Sequence, residues 1–241
     1  IFSVLNALML RPLPVHDPAS LYQVLHTGAG GSSESSSYAF YAYLRAHAKT
    51  IAGLFQVDPT SMVKVSIDGQ SEAVVAQHVT GDYFSLLGVG PLAGAVIRAE
   101  DEQGSAPKRV AVLSHSSSVR RFCGDPGVLR RPLTVDQVPH PIVGLTRPEF
   151  FGLQVGRRVD VTVPLDGSED RAFWKARALV VRLPAGVSRE TAMAELNVLF
   201  QQYIASDKTL TERARAQSFK SLDLASSASG LPEFRDRYGK P

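Results

Sequence analysis

The chain has 241 residues, 44% hydrophobic and 20% charged, which is globular usage with length enough for one large domain or two small ones. Its net charge of +3 is mild, and the pairs Arg120-Arg121, Arg130-Arg131 and Arg157-Arg158 are scattered; they read as solvated arginines and exclude the concentrated basic face of a nucleic-acid binder. A single cysteine, Cys123, excludes an intrachain disulfide and a four-cysteine zinc site.

Residues 1–10 are nearly all apolar, broken by Ser3 and Asn6 and stopped by Arg11-Pro12-Leu13-Pro14. Ten residues fall short of the roughly 20 that span a bilayer. The run reads either as a buried element at a domain edge or as the outer end of a transmembrane helix. Residues 21–25 alternate and predict a strand. Residues 28–37 are rich in Gly and Ser and predict a mobile loop. Ser36 or Ser37 can cap a helix from Tyr38 to about Ala48, with Tyr41, Leu44 and Ala48 as its buried stripe. Phe40 and Tyr43 lie on a neighbouring face and read as a partner surface or as an enlarged core face. Residues 51–57 and 62–67 predict strands, and Asp68-Gly69 a hairpin turn into a strand over 72–78.

The stretch Val79-Thr80-Gly81-Asp82-Tyr83-Phe84-Ser85-Leu86-Leu87-Gly88-Val89 organises the chain. Thr80-Gly81-Asp82 can cap a short helical turn, and Gly88 ends it. Tyr83, Phe84, Leu86 and Leu87 cannot all face water, so this corner must be clamped between packed bodies. Further on, residues 110–113 predict a short strand, 114–122 a helix stopped by Gly124-Asp125-Pro126, and 133–135 and 142–145 two more strands. Residues 160–165 and 178–183 are also read as strands. Pro184 to Ser188 form a turn and cap, and Ala192, Leu196, Leu199 and Tyr203 make the stripe of an amphipathic helix.

Several of these stretches carry a family resemblance. "VTGDYFSLLGVGPLAGAVIRAEDE" resembles the hallmark of the periplasmic core domain of MacB/FtsX-type ABC transporter permeases. "FSVLNALMLRPLPVHDPASL" is similar to the junction after the first transmembrane helix of that family, and "SGLPEFRDRYGKP" to the segment before the second. "VAVLSH", "GDP" and "IVGLTRPEFFG" resemble its inserted subdomain, and "RLPAGVSRETAMAEL" its strand-turn-helix. The chain departs from the pattern at Phe40 and Tyr43, usually polar, at Ser118, where an aromatic is common, at Arg130-Arg131, usually Gly-Arg, and at Gln137, usually a hairpin Gly. These departures leave room for the acidobacterial-type orphan permease branch.

Candidate chemistry is thin. Ser114-His115 has no Gly-x-Ser-x-Gly elbow around it. The six histidines, His16, His26, His47, His78, His115 and His140, show no metal-ligand spacing. Asp101-Glu102 and the acidic residues of 166–170 lack a calcium-loop pattern and are expected to be solvated. No Gly-x-x-x-x-Gly-Lys-Ser/Thr loop is present, so no ATP is bound through a P-loop. No catalytic, cofactor or metal residues are therefore assigned.

The resemblance implies an α+β fold with two lobes. A porter-like lobe would comprise residues 1–90 and 160–241, with a mainly β second lobe inserted at 91–159 and residues 1–10 as the end of transmembrane helix 1. Tyr83, Phe84, Leu87 and Gly88 would form the corner that couples the lobes. The resemblance also implies a non-enzymatic extracytoplasmic domain at the bacterial inner membrane, relaying ATP-driven helix motion for export. Its partners would be a cytoplasmic ABC ATPase and a periplasmic adaptor or second permease half, in a dimeric transporter. The alternatives are a soluble peptide- or lipid-binding module and a hydrolase using Ser114 and His115.

Overall fold

The computed structural model describes residues 11–28, 31–102, 108–154, 156–165, 177–206 and 220–231. Expectations on residues 1–10, 166–170 and 235–241 lie outside them. The strands in chain order are β1 (Leu21–Gly28), β2 (Gly31–Ser33), β3 (Gly53–Val57), β4 (Ser61–Ile67), β5 (Gln70–Val79) and β6 (Pro91–Gly94), then β7 (Ala111–Leu113), β8 (Pro132–Val135), β9 (Val138–Thr146), β10 (Val161–Pro164), β11 (Ala178–Arg182) and β12 (Ser221–Ser226). The helices are α1 (Tyr38–His47), α2 (Tyr83–Leu87), α3 (His115–Phe122) and α4 (Arg189–Ser206). This is the α+β fold that the sequence predicts.

The strands run β10-β7-β9-β8-β4-β5-β3-β11-β1-β12, and β10 also pairs in parallel with β5. That second pairing closes six strands into a ring. Val63 and Val65 of β4 point inward, with Met62 and Lys64 outward, following the period of two in a strand. Val74 and Ala76 of β5 and Val161 and Val163 of β10 fill the same interior. Two tight turns set the register. Asp68 (φ 50) and Gly69 (φ 79) join β4 to β5, and Asp136 (φ 45) and Gln137 (φ 70) join β8 to β9. Both turns place two consecutive residues in the left-handed region, as two-residue hairpins of right-twisted strands require.

Beyond β5 the sheet opens into β3, β11, β1 and β12. The strand β11 is buried on both faces, which is why Ala178–Arg182 begins as a continuous apolar run. Leu54, Leu179, Val181 and Val24 face one core beneath α1 and α4. Phe55, Val57, Val180 and Leu21 face a second core that receives α2. Ser37 caps α1 by accepting from the Phe40 N–H at 3.1 Å. The predicted α4 stripe is observed and widened by Phe200 and Ile204.

The strand β12 ends the strand order, and the sequence reading missed it, although Leu222 and Leu224 alternate inward. Side chains of α4 cover its outer edge. Asn197 Oδ1 accepts from the Leu222 N–H at 2.7 Å, and its Nδ2 donates to the Leu222 carbonyl at 3.0 Å. Arg189 Nε donates to the Leu224 carbonyl at 2.8 Å, and Gln201 Nε2 to the Lys220 carbonyl at 3.0 Å. Two further short strands were also read otherwise. The strand β2 lies within the predicted Gly/Ser loop, and β6 opens the expected insertion at 91–159, where no strand was predicted before residue 110.

Core packing divides elsewhere than at residues 90/91 and 159/160. The ring takes in β4, β5 and β10, which were assigned to the first lobe. Conversely, Ile97, Val112, Phe150 and Leu153 of the expected insertion pack in the core around α2. The reason is the length of β5. Its first half lines the ring, and its last residue, Val79, pairs with Val57 of β3. A strand shared by two bodies leaves no boundary in the sequence.

Candidate functional site

The corner α2 carries the candidate site. Tyr83, Phe84 and Leu87 are each 0% exposed, as a turn with these residue types must be. Tyr83 meets Phe55 edge-on at 5.2 Å, Phe84 at 5.0 Å and Phe150 at 6.2 Å. Its hydroxyl donates to Gln77 Oε1 at 3.2 Å, and burial pushes its pKa up, so it stays a protonated donor. The Asp82 side chain does not cap α2, contrary to the sequence expectation; the Tyr83 N–H donates to the Thr80 carbonyl instead. Gly88 closes the helix at φ 67, with its N–H on the Phe84 and Ser85 carbonyls.

A strap formed by the first described residues crosses this corner. The His16 N–H donates to the Leu87 carbonyl at 2.9 Å. Arg182, on the last position of β11, spreads its guanidinium over both pieces. Its Nε donates to the Leu86 carbonyl at 2.7 Å, Nη2 to the His16 carbonyl at 2.6 Å and Nη1 to the Asp17 carbonyl at 2.9 Å. Nη1 also bonds Ser20 Oγ. One planar fork thus satisfies the free carbonyl of a helix end and pins the incoming chain. The strap meets the last described segment as well, through the Leu13 N–H on the Ala228 carbonyl at 2.8 Å.

Residues 1–199 match the family model of the MacB-like periplasmic core domain. The chain belongs to that family. Three solved structures share its fold at low identity. The periplasmic region of MacB from Actinobacillus actinomycetemcomitans has a TM-score of 0.62 at 12% identity, covering 93% of this chain and 94% of that one. A domain of a putative permease protein from Porphyromonas gingivalis has 0.65 at 15%, covering 88% and 92%. The extracellular domain of the noncanonic ABC-type transporter YknZ from Gram-positive bacteria has 0.59 at 9%, covering 85% and 98%. No curated protein matches the chain in sequence. The MacB-like family comprises periplasmic domains of ABC transporter permeases, so this domain is extracytoplasmic and not itself catalytic. Such domains work within transporters that include an ATPase. No helix among the described residues is long and apolar enough to cross a membrane.

In this MacB-like domain the two other singled-out aromatics do not make an open partner surface. Phe40 is 0% exposed and packs edge-on against Phe200 at 5.5 Å. Tyr43 is half-buried, 5.4 Å from Tyr203 and stacked on His47 at 4.3 Å. They enlarge the core beneath α1, because α4 lies directly over that face. Ser114 caps α3, accepting from the Ser117 N–H at 3.2 Å, which engages the oxygen a hydrolase would need free. Among the described residues, no group of three or more His, Cys, Asp or Glu side chains converges as metal ligands would.

Three charged residues read as solvated are structural. Arg121 is mostly buried and bonds Glu72, with Asp160 3.5 Å away. Asp101 accepts from the Arg98 N–H at 2.9 Å and pairs with Lys108 at 3.0 Å. Glu102 is only 5% exposed at its side chain. Its Oε1 accepts from the Tyr38 hydroxyl at 2.7 Å, and its Oε2 from the Gly81 N–H at 2.9 Å and the Tyr41 hydroxyl at 3.4 Å. Burial first, then this carboxylate, pushes the Tyr41 hydroxyl pKa up. The sequence signal for Glu102 was slight: an acidic residue after a helix-turn pattern, with tyrosines spaced three apart elsewhere.

Two grooves open among the described residues. One, of about 280 Å³, lies between α1 and α2 and is lined by Leu44, Arg45, Ile51, Leu54, Asp82 and Leu86. The other, of about 310 Å³, lies among Lys64, Ser66, Ser71, Thr134 and Asp136 near the hairpin tips. Both sit at the lower bound of the roughly 300–1,000 Å³ usual for small-molecule sites, so neither favours the binding-module reading.

Proposed function

We propose that this domain relays ATP-driven motion of membrane helices to an exported substrate or a periplasmic partner. The strap on the corner carries the reading. The incoming chain is fixed at His16 and Asp17 by the Arg182 fork, and Leu13 is bonded to Ala228 near the outgoing end. Membrane helices attached at these two ends would act at neighbouring points, and their displacement would reach α2 directly. Residues 1–13 and 235–241 are then the mechanical inputs. Tyr83, Phe84, Leu87 and Gly88 are the coupling corner, since Tyr83 touches Phe55 of the open sheet and Phe150 of the stretch after β9. The partners are a cytoplasmic ABC ATPase and a periplasmic adaptor or second permease half, in a dimeric transporter.

The test is a flexible Gly/Ser linker inserted after Leu13 in the full-length transporter. Hydrolysis of ATP should continue while transport per ATP collapses; unchanged transport per ATP overturns the relay. The coding sequence provides a cheaper check. Runs of roughly 20 apolar residues ending near Leu10 and starting just after Pro241 are expected. A secretory signal upstream with a stop codon near Pro241 would overturn the membrane-tethered reading.

A further inference from the structure

The helices α1 and α2 pack on opposite faces of β3. Leu54 faces the α1 core, and Phe55 faces the α2 core. The 280 Å³ groove separates Leu44 of α1 and Ala48 just after it from Ser85 and Leu86 of α2. Apolar packing therefore does not join the two helices there, and the link between them is polar.

Glu102 and Arg45 are the charged part of that link, beside a side-chain bond between Tyr41 and Thr80. Tyr38, Tyr41 and Arg45 follow one face of α1, at spacings of three and four. The two tyrosine hydroxyls donate to the Glu102 carboxylate, and Arg45 Nη1 stands 3.5 Å from its Oε2. The same Oε2 takes the Gly81 N–H, just before α2. Arg45 Nη2 continues to Asp82 Oδ2 at 3.1 Å, across the groove. The segment presenting Glu102 lies flush on the corner, because a Cβ at Gly81 would stand 2.5 Å from the Arg98 carbonyl oxygen and the Ala99 Cα. A buried carboxylate persists only with donors on both its oxygens, and here the donors come from the two parts to be joined.

We infer that Glu102, with Arg45, is a latch that transmits displacement of the corner to α1. The inference rests on the relay reading above: the strap moves the corner, and the latch carries that motion round the end of β3 to the helix on the other face. Tyr41 also bonds Thr80 at the corner, and Gln56 of β3 ties Thr80 to Ser36 and Ser37 at the start of α1, so without the latch the displacement reaches α1 weakened.

The test compares hydrogen exchange of the full-length transporter with and without ATP and vanadate. In the wild type the nucleotide is expected to change exchange in the strap, in α2 and in α1. With Glu102→Ala the change should persist in the strap and α2 and shrink severalfold in α1, while the Gly81 amide exchanges about tenfold faster in both states. A Glu102→Ala transporter whose α1 still responds as in the wild type overturns the latch, even if its melting temperature falls, because that outcome is a purely structural carboxylate. A wild type with no nucleotide response in the strap overturns the relay itself, and the latch with it. Should Glu102→Ala fail to fold, Glu102→Gln and the Tyr38→Phe, Arg45→Met pair carry the same comparison, with the same readout deciding.

Discussion

His16 lies so close to Gly88 that a Cβ added at position 88 would stand 2.5 Å from the His16 Cβ. Gly88 also has φ 67, in the left-handed region. Two penalties therefore meet in Gly88→Ala: a strained backbone and a displaced strap. We expect a loss of about 2–4 kcal/mol of unfolding free energy. Urea denaturation checks the size, and faster exchange of the His16 amide checks the cause. A loss under about 0.5 kcal/mol would mean that the strap yields freely.

Arg182 is expected to be irreplaceable by lysine. Its three nitrogens reach carbonyls on Leu86, His16 and Asp17 from one plane, and an ammonium can serve only part of that fork. Arg182→Lys should cost about 1–3 kcal/mol and open residues 11–20 to limited proteolysis. Cleavage at the wild-type rate would show that the fork is dispensable for holding the strap.

The Asp136-Gln137 turn offers a stabilising change. Gln137 sits at φ 70, where a side chain is strained, in the position where glycine serves the matching turn at Gly69. Gln137→Gly should raise stability by about 0.5–1 kcal/mol, strain relief exceeding the added freedom of the unfolded chain. Thermal unfolding of the two proteins side by side checks it, and a lower midpoint for the variant would refute it.

Acid should weaken the core beneath α1. His26 is buried between Phe40 and Phe200, with ring centroids at 5.7 and 5.2 Å, and desolvation lowers its pKa from 6.5 to about 4. The unfolded chain takes up this proton near pH 6.5, the folded chain only near 4. The contribution is thus complete above pH 6.5 and lost progressively as the pH falls to about 4, by up to about 3 kcal/mol. His78 and His140 are also lowered chiefly by burial and add in the same direction. Denaturation at pH 7.5 and 5 should show a shallower pH dependence for His26→Leu than for the wild type. Equal slopes would exclude His26 as a source.

The legible parts of this chain were local ones. The Asp68-Gly69 turn, the Ser37 cap and the α4 stripe depend on residues within one or two turns of each other, and the structure has all three. Burial of Tyr83, Phe84 and Leu87 was legible from residue type alone. The strap was not, because Arg182 reaches carbonyls more than 90 positions earlier in the chain, and the RLPAGVS stretch it opens points only to a strand end, a turn and a helix cap. Glu102 read as solvated for the same reason: its donors lie on Tyr38, Tyr41 and Gly81. The ring escaped detection because closure depends on β10 meeting β5, a parallel pairing across the whole intervening stretch.

The covering of β12 limits how other molecules can meet this domain. An uncovered outer strand is a template on which a foreign strand can crystallise. Here Arg189, Asn197 and Gln201 already occupy carbonyls along that border, and Asn197 also takes an amide. A neighbour arriving as an extended peptide would have to displace α4 before its first backbone bond could form. Among the described residues, recognition on this flank must therefore proceed through the helix surface.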